Sequence, residues 1–151
     1  MSKIFDMPER LPMSFREKSA WISFGCLLVV FGTYFGSVAL VLSGRMHSGA
    51  SLGLGVGLLA AFVILEIVLH VAIAIQSPGD ARAPKDERER LIEMRATHRA
   101  FPVLVLGALA GVGTMHLTRS NWVVGHVVLL AVVVAELVKF GGQIVSFRRD
   151  A

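Results

Sequence analysis

The sequence predicts an all-α integral membrane protein, a bundle of four helices arranged as two antiparallel hairpins with both termini in the cytoplasm. Three observations lead to this prediction. Of the 151 residues, 54% are hydrophobic and only 17% are charged, whereas soluble domains average about 25% charged residues. Four apolar runs are each about long enough, at roughly 17–25 helical residues, to cross a hydrocarbon core. The lysines and arginines collect at one side of these runs.

The four apolar runs define a single membrane domain. Because a backbone in lipid must satisfy its own hydrogen bonds, each run is expected to be a helix. The predicted spans are residues 20–42, 52–75, 101–117 and 122–144. The polar segments are an N-terminal tail of residues 1–19, a loop and helix over 76–100, and a C-terminal tail of 145–151.

Basic residues predict the orientation of the spans. Four lysines or arginines precede the first span, six separate the second from the third, and two follow the fourth, whereas the other two loops carry only Arg45 and Arg119. Since lysine and arginine accumulate on the cytoplasmic side, both termini are predicted to be cytoplasmic. The same positions explain the net charge of +4 without direct binding to nucleic acid.

The first span is expected to remain in the protein as a membrane anchor. Its apolar run exceeds the roughly 7–15 residues of a signal-peptide core. Trp21 and Trp122 lie where interfacial anchors are found, at opposite ends of the bundle. Cys26, within this span, is the single cysteine, which excludes an intrachain disulfide and a cysteine-based metal cluster.

The segment between the second and third spans is the main predicted soluble feature. Pro78, Gly79 and Pro84 predict a loop over its first part. Asp86, followed three residues later by Glu89, predicts a helix start with a capping box. Pro102 removes one backbone donor, so a kink is expected where this helix enters the third span.

The helix predicted to follow Asp86 carries both an apolar stripe and a group of arginines. Its apolar stripe consists of Leu91, Met94, His98 and Phe101. Arg88, Arg90 and Arg95 are candidate residues for binding a cytoplasmic protein partner or anionic lipid headgroups. The alternative is a solvated entrance to the third span.

Small residues predict close packing between the helices. Lipid provides no hydrophobic drive for helices to associate, so backbones approach each other at small residues. GxxxG pairs occur in the first three spans, at Gly32 and Gly36, Gly53 and Gly57, and Gly107 and Gly111. The pattern predicts a tightly packed bundle and allows a homo-oligomer through one of these faces.

Two glutamates lie inside apolar spans. Glu66 lies as many residues after the start of the second span as Glu136 lies after the start of the fourth. Both are therefore expected at one level of the membrane. One turn nearer the cytoplasm, His70 and Lys139 accompany them. A charge near the centre of a span costs roughly 2.5–3.5 kcal/mol. Both carboxylates are therefore expected to face each other across the bundle interior, protonated or in a shared hydrogen-bonded site.

Two main interpretations of these four residues are open. They could form local helix pairs that neutralise themselves and tie the second and fourth spans together. They could instead form a site that handles a proton or a cation, and a third possibility is a polar contact to a partner in the membrane. Glu66, His70, Glu136 and Lys139 are the candidate intramembrane site.

No other pattern indicates chemistry. His47, His116 and His126 belong to the outer end of the bundle, without the spacing of a metal-binding motif. His70 has no second histidine at its depth with which to hold a haem. No nucleophile elbow, phosphate loop or zincin motif is present. We therefore expect no catalytic residue, no metal and no cofactor.

Two segments resemble known proteins. MSFREKSAWISF, residues 13–24, and KDERERLIEMRATHRAF, residues 85–101, resemble a group of small bacterial four-helix inner-membrane proteins of unknown function. The resemblance extends over most of the chain from Met13 and implies a multi-pass protein of the bacterial cytoplasmic membrane. It supplies no catalytic residues. Such proteins are often encoded near small helix-turn-helix regulators, which implies a contact surface on the helix over 86–99.

The sequence thus favours a non-catalytic accessory or regulatory membrane protein that lies in the lipid bilayer and binds a cytoplasmic partner. The alternative is a small transporter or a proton or cation conduit that uses Glu66 and Glu136. Loss of transport when these glutamates are replaced would distinguish the transporter or conduit from the accessory protein.

Overall fold

The computed structural model describes residues 13–45, 48–76, 78–118 and 120–149, without the side chains of 48–52, 54, 56, 80 and 81. The helices are α1 (Phe15–Leu42), α2 (Ser48–Gln76), α3 (Pro78–Arg82), α4 (Glu87–Leu117) and α5 (Asn121–Arg149). The described residues contain no strand. By their length and composition, four of the described helices are long and apolar enough to cross a membrane. The all-α prediction with four candidate spans is confirmed.

The helices extend past the predicted spans. α1 begins at Phe15, because the Ser14 side chain caps it by accepting from the Glu17 amide at 3.2 Å. Gly44 adopts a φ of +72° just after α1 ends, a conformation that favours glycine. α5 runs on to Arg149.

The segment between α2 and α4 differs in part from the expectation. Pro78–Arg82 forms the short helix α3 instead of a loop. Proline suits the first helical position, because its missing amide would have no partner there anyway. The capping box of Asp86 and Glu89 is confirmed. From it α4 runs as one helix through Pro102 to Leu117, and the kink at Pro102 stays a prediction.

The four long helices pack in the order α2, α1, α5, α4, so that α1 and α5 are central. The contacts between α1 and α2 run in opposite directions along the two helices: Ser23 of α1 meets Glu66 of α2, whereas Tyr34 of α1 meets Gly55. The core between α1, α2 and α5 is built on buried Leu27, Val30, Phe31 and Val133.

Ion pairs join the helices at the end of the bundle where α1 and α4 begin and α5 ends. We call this end the basic end. Glu17 lies 3.6 Å from Arg148, and Arg16 lies 3.6 Å from Glu89. The opposite end of the helices is called the loop end. Ion pairs that water can reach contribute at most about 1 kcal/mol each, so these two fix the register of the helices more than their stability.

Small residues line the contact between α4 and α5. A Cβ on Gly107 would lie 2.2 Å from the Ala131 Cβ, and one on Gly111 would lie 2.6 Å from Val128. Further along, Gly142 of α5 lies against Ala96 of α4, which is 1% exposed. The prediction of close packing at small residues is therefore confirmed for the GxxxG pair of the third span.

The other two GxxxG pairs do not mediate packing between the described helices. No described atom of another helix lies within 4 Å of a Cβ built on these glycines, which are Gly32, Gly36, Gly53 and Gly57. α1 instead meets its neighbours through the face that carries Leu27 and Phe31, because large apolar side chains there fill the space between three helices. A homo-oligomer through the glycine faces stays a prediction.

The apolar stripe of the α4 entrance faces outward. Leu91, Met94 and Phe101 are exposed, whereas Ile92, Ala96 and Ala100 are buried. The alanines form the contact face because their small side chains let α4 approach its neighbours closely. An apolar surface is thus left free beside the arginines of α4.

Candidate functional site

The carboxylate of Glu66 lies within the packed helices, held from two sides. Ser23 of α1 donates a hydrogen bond to its Oε2 at 3.1 Å. The His70 Nδ1 lies 3.1 Å from the same oxygen. The other oxygen, Oε1, is buried and has no hydrogen-bond partner among the described residues. Since buried polar atoms almost always have a partner, this oxygen is an exception that a purely structural ion pair does not explain.

His70 links Glu66 to the basic end of the bundle. Its Nδ1 lies 2.8 Å from the backbone carbonyl of Glu66 as well as near the carboxylate, and its Nε2 lies 2.8 Å from the Ser19 hydroxyl. Both groups around Nδ1 are acceptors, so this nitrogen carries a proton. Nε2 can then accept from Ser19 in the neutral ring or donate to it in the charged ring.

Glu136 is paired within its own helix. The Lys139 ammonium donates to the Glu136 Oε2 at 2.5 Å. The same ammonium lies 4.7 Å from the centre of the Phe140 ring, a distance at which a cation is attracted to an aromatic face. Both local pairs that the sequence predicts, Glu66 with His70 and Glu136 with Lys139, are therefore present.

The two glutamates line one groove between α1, α2 and α5. We call this space the carboxylate groove; its volume is about 400 Å³. Its polar residues are Ser23, Glu66 and Glu136, and the rest of its wall is made of phenylalanine, leucine and valine side chains. The structure thus places Glu66 and Glu136 on the wall of one groove; that their carboxylates face each other stays a prediction.

The charges around the groove do not cancel. Two carboxylates face it, and one ammonium, from Lys139, pairs with one of them. When both glutamates are ionised and His70 is neutral, these described groups carry one excess negative charge. An apolar wall strengthens the field of that charge, because the low polarity of its surroundings screens it little.

Two further cavities lie next to the groove along the helices. Towards the loop end, a pocket of about 180 Å³ is lined by Tyr34 and shares Phe31 and Leu129 with the groove. Towards the basic end, a pocket of about 220 Å³ is lined by Ser19 and Lys139 and shares Phe140 with it. The groove therefore lies between two openings that border opposite ends of the bundle.

Polar aromatic residues join α1 to α5 nearer the loop end. The Tyr34 hydroxyl lies 2.8 Å from the His126 Nε2, and the His126 Nδ1 lies 2.7 Å from the Trp122 carbonyl. Because the Nδ1 proton is used by that carbonyl, Nε2 accepts from Tyr34. The Trp122 ring lies against the His126 ring, with 4.1 Å between ring centres and an angle of 37° between the two planes. This cluster fixes the wall of the loop-end pocket.

The remaining candidate residues lie elsewhere. Arg88, Arg90 and Arg95 are exposed on α4, away from the groove. Among the described residues no three histidine, cysteine or acidic side chains form a group that could hold a metal ion. His116 is exposed near the loop end, and His47 lies outside the described residues.

Sequence reasoning missed Ser19 and Ser23. They stand four residues apart on α1, so they occupy one face of that helix, and the structure places this face against His70 and Glu66. Their spacing and their position at the basic end of the first span were visible in the sequence. A serine in a membrane helix can bond to its own backbone, which is why its presence alone does not indicate a site.

Comparison of the chain with protein-family models, with curated proteins and with solved structures gave no match in any of the three. The resemblance to small bacterial four-helix membrane proteins stays a prediction. The functional argument therefore depends on the geometry of the site.

Proposed function

We propose that this chain is a multi-pass protein of the bacterial inner membrane that binds and releases a proton or a monovalent cation at Glu66 and Glu136. One observation carries the proposal: Glu66 and Glu136 line one groove, and the Oε1 of Glu66 is buried without a partner among the described residues. Ionisable groups within spans are costly and usually belong to ion or proton pathways.

The local-pair interpretation accounts for part of this geometry. Lys139 compensates Glu136, and Ser23 and His70 hold one oxygen of Glu66. A purely structural pair would be expected to satisfy both buried oxygens, because an unsatisfied one costs about 1–3 kcal/mol. The second oxygen of Glu66 is the reason for preferring a binding site.

The cavities supply a route for exchange. The Ser19–His70–Glu66 contacts lead from the basic-end pocket into the groove. Beyond the groove, the wall towards Tyr34 is apolar, with Phe31, Leu59 and Leu129. Proton exchange is therefore expected to be easier from the basic end, while the apolar stretch acts as the barrier that keeps the two ends apart.

The orientation of the protein belongs to the same proposal. Arg16, Lys85, Arg148 and Arg149 lie at the basic end, and positively charged ends are cytoplasmic in bacterial membranes. The route through Ser19 and His70 then opens to the cytoplasm.

A second candidate function is docking of a cytoplasmic protein on the entrance of α4. The observation that favours it is the exposed stripe of Leu91, Met94 and Phe101 beside the exposed Arg88 and Arg95. Under this function the protein would be a non-catalytic accessory or regulatory subunit, and the groove glutamates would be structural.

Reconstituted vesicles separate the two functions. Purified protein is placed in vesicles that contain a pH-sensitive dye, and a potassium diffusion potential is applied. We expect proton or potassium movement well above that of empty vesicles, reduced by about tenfold or more in Glu66→Gln and in Glu136→Gln, because each removes an ionisable group of the route. Glu87→Gln, at the exposed start of α4, is the matched control and should keep the wild-type rate.

Wild-type vesicles that are no more permeable than empty ones would contradict the proposed function. Since no partner is present in the vesicles, that result would leave docking on α4 as the better account. Equal flux in all variants would exclude the glutamates from the route.

A further inference from the structure

We propose that the carboxylate groove binds an amphipathic organic monocation, a molecule with a hydrocarbon or aromatic body and one delocalised or quaternary positive charge. The inference rests on the proposed function and names the class of cation. It is argued from the size, the wall and the charge of the groove.

The size and wall of the groove suit an organic molecule better than a bare metal ion. Its volume of about 400 Å³ falls within the roughly 300–1,000 Å³ of small-molecule sites, which are mostly apolar with a few placed polar groups. An inorganic metal ion that gives up its water prefers a site with several oxygen ligands. Here the described carboxylates and one serine hydroxyl are set in a wall of hydrocarbon.

Aromatic rings add a specific preference for a large cation. Phe31, Phe62 and Phe140 line the groove together with the two glutamates. Phe31 and Phe62 meet edge to face, with 5.5 Å between ring centres and an angle of 64°, which keeps both rings in fixed orientations. Aromatic faces beside a negative charge are the chemistry by which proteins recognise quaternary ammonium groups.

The charge of the site fits one positive charge. Once Glu66 has lost its proton and with His70 neutral, the described groups that face the groove carry a single excess negative charge, since Lys139 compensates Glu136. Glu66 lines the groove, and its Oε1 is buried without a partner among the described residues. A monocation would neutralise the site, whereas a second positive charge would be left uncompensated in an apolar setting.

The position of the groove allows entry from the lipid. α2 packs on α1, and its contacts with α5 are sparse, so the groove lies along the seam between α2 and α5. An amphipathic cation already dissolved in the bilayer could reach Glu66 sideways and displace the proton there. Exchange of a proton for such a cation is the reaction that this geometry allows.

Equilibrium binding tests the proposal without requiring transport. The probe is tetraphenylphosphonium, measured with the protein in lipid nanodiscs and corrected by empty nanodiscs. We expect saturable binding, weakened about tenfold or more by Glu66→Gln, because it removes one member of a charge pair. Phe62→Leu should weaken binding about threefold or more through loss of a ring from the wall. The matched controls are Glu87→Gln and Phe101→Leu, which alter exposed residues of α4 and should leave binding unchanged.

Tetraphenylborate, of the same shape and opposite charge, is expected not to compete. Competition by it, binding that Glu66→Gln leaves unchanged, or no saturable binding would each overturn the inference. Flux of protons or potassium without binding of the probe would overturn the inference and leave the proposed function standing. Binding of the probe without any flux would support the site and contradict the proposed function.

Discussion

Lys139→Met is expected to destabilise the folded protein in lipid by about 2 kcal/mol or more, since it leaves the charge of Glu136 uncompensated within a span. Its ammonium is the partner of Glu136, at 2.5 Å. Without it, Glu136 must take up a proton or face the groove as a bare charge. Thermal unfolding in lipid nanodiscs, followed by loss of helical circular dichroism, measures the effect.

Lys85→Met is the matched control for this substitution. Lys85 also pairs with a glutamate, Glu93, but this pair lies at the basic end, outside the predicted span of residues 101–117, where such a pair contributes at most about 1 kcal/mol. The double variant Glu136→Gln with Lys139→Met should recover most of the stability, because neither charge remains. An equal, small loss in Lys139→Met and Lys85→Met would contradict an intramembrane position for Glu136.

Gly107→Ala is expected to destabilise the contact between α4 and α5 by about 1–3 kcal/mol, the usual cost of forcing extra atoms into a packed contact. The added Cβ would lie 2.2 Å from the Ala131 Cβ and 3.1 Å from its Cα. A backbone atom cannot move aside as a flexible side chain can, so the two helices must separate.

Gly113→Ala is the control on the same helix, because a Cβ there would meet no described atom within 4 Å. It should leave stability unchanged or raise it by up to about 1 kcal/mol, since alanine favours a helix over glycine. Ala131→Gly should partly rescue Gly107→Ala by removing the nearer of the two atoms. Unfolding in mixed micelles would measure all three, and equal stabilities for Gly107→Ala and Gly113→Ala would refute the close approach of the helices.

The fold could be predicted because its strongest determinants are local. An apolar run of the length of a span has one favourable structure in lipid, which is a helix. A proline or a capping box acts within a few residues, so the start of α4 at Asp86 was also readable. The order of the helices was not readable, because it depends on which faces fit each other across the bundle.

The glycines show that a sequence pattern alone does not determine which helices pack together. Gly107 and Gly32 stand in the same GxxxG pattern, yet the first lies against Ala131 and the second meets no described neighbour. The pattern permits a close approach but does not name the partner helix. Only the complementary small residue on α5 decides between them, and that pairing is a property of the assembled structure.

The charged residues of the candidate site could be predicted from the sequence, whereas the residues that form its wall could not. Glu66 and Glu136 stand out because a carboxylate in an apolar span is costly. Ser23 and Phe62 do not stand out, because serine and phenylalanine are common in membrane helices. Their role follows from the packing of α1, α2 and α5 around one groove.

A membrane-soluble carbodiimide tests most directly whether Glu66 and Glu136 share one intramembrane groove. Dicyclohexylcarbodiimide reacts with protonated carboxyl groups in apolar surroundings and leaves a bulky acylurea. We predict one adduct per chain, on Glu66, found by mass spectrometry of the labelled protein and its peptides. Glu136 should stay unlabelled while Lys139 holds it, and the bulk of the first adduct should fill the groove. Chains that carry adducts on both glutamates, or none on Glu66, would contradict the shared groove.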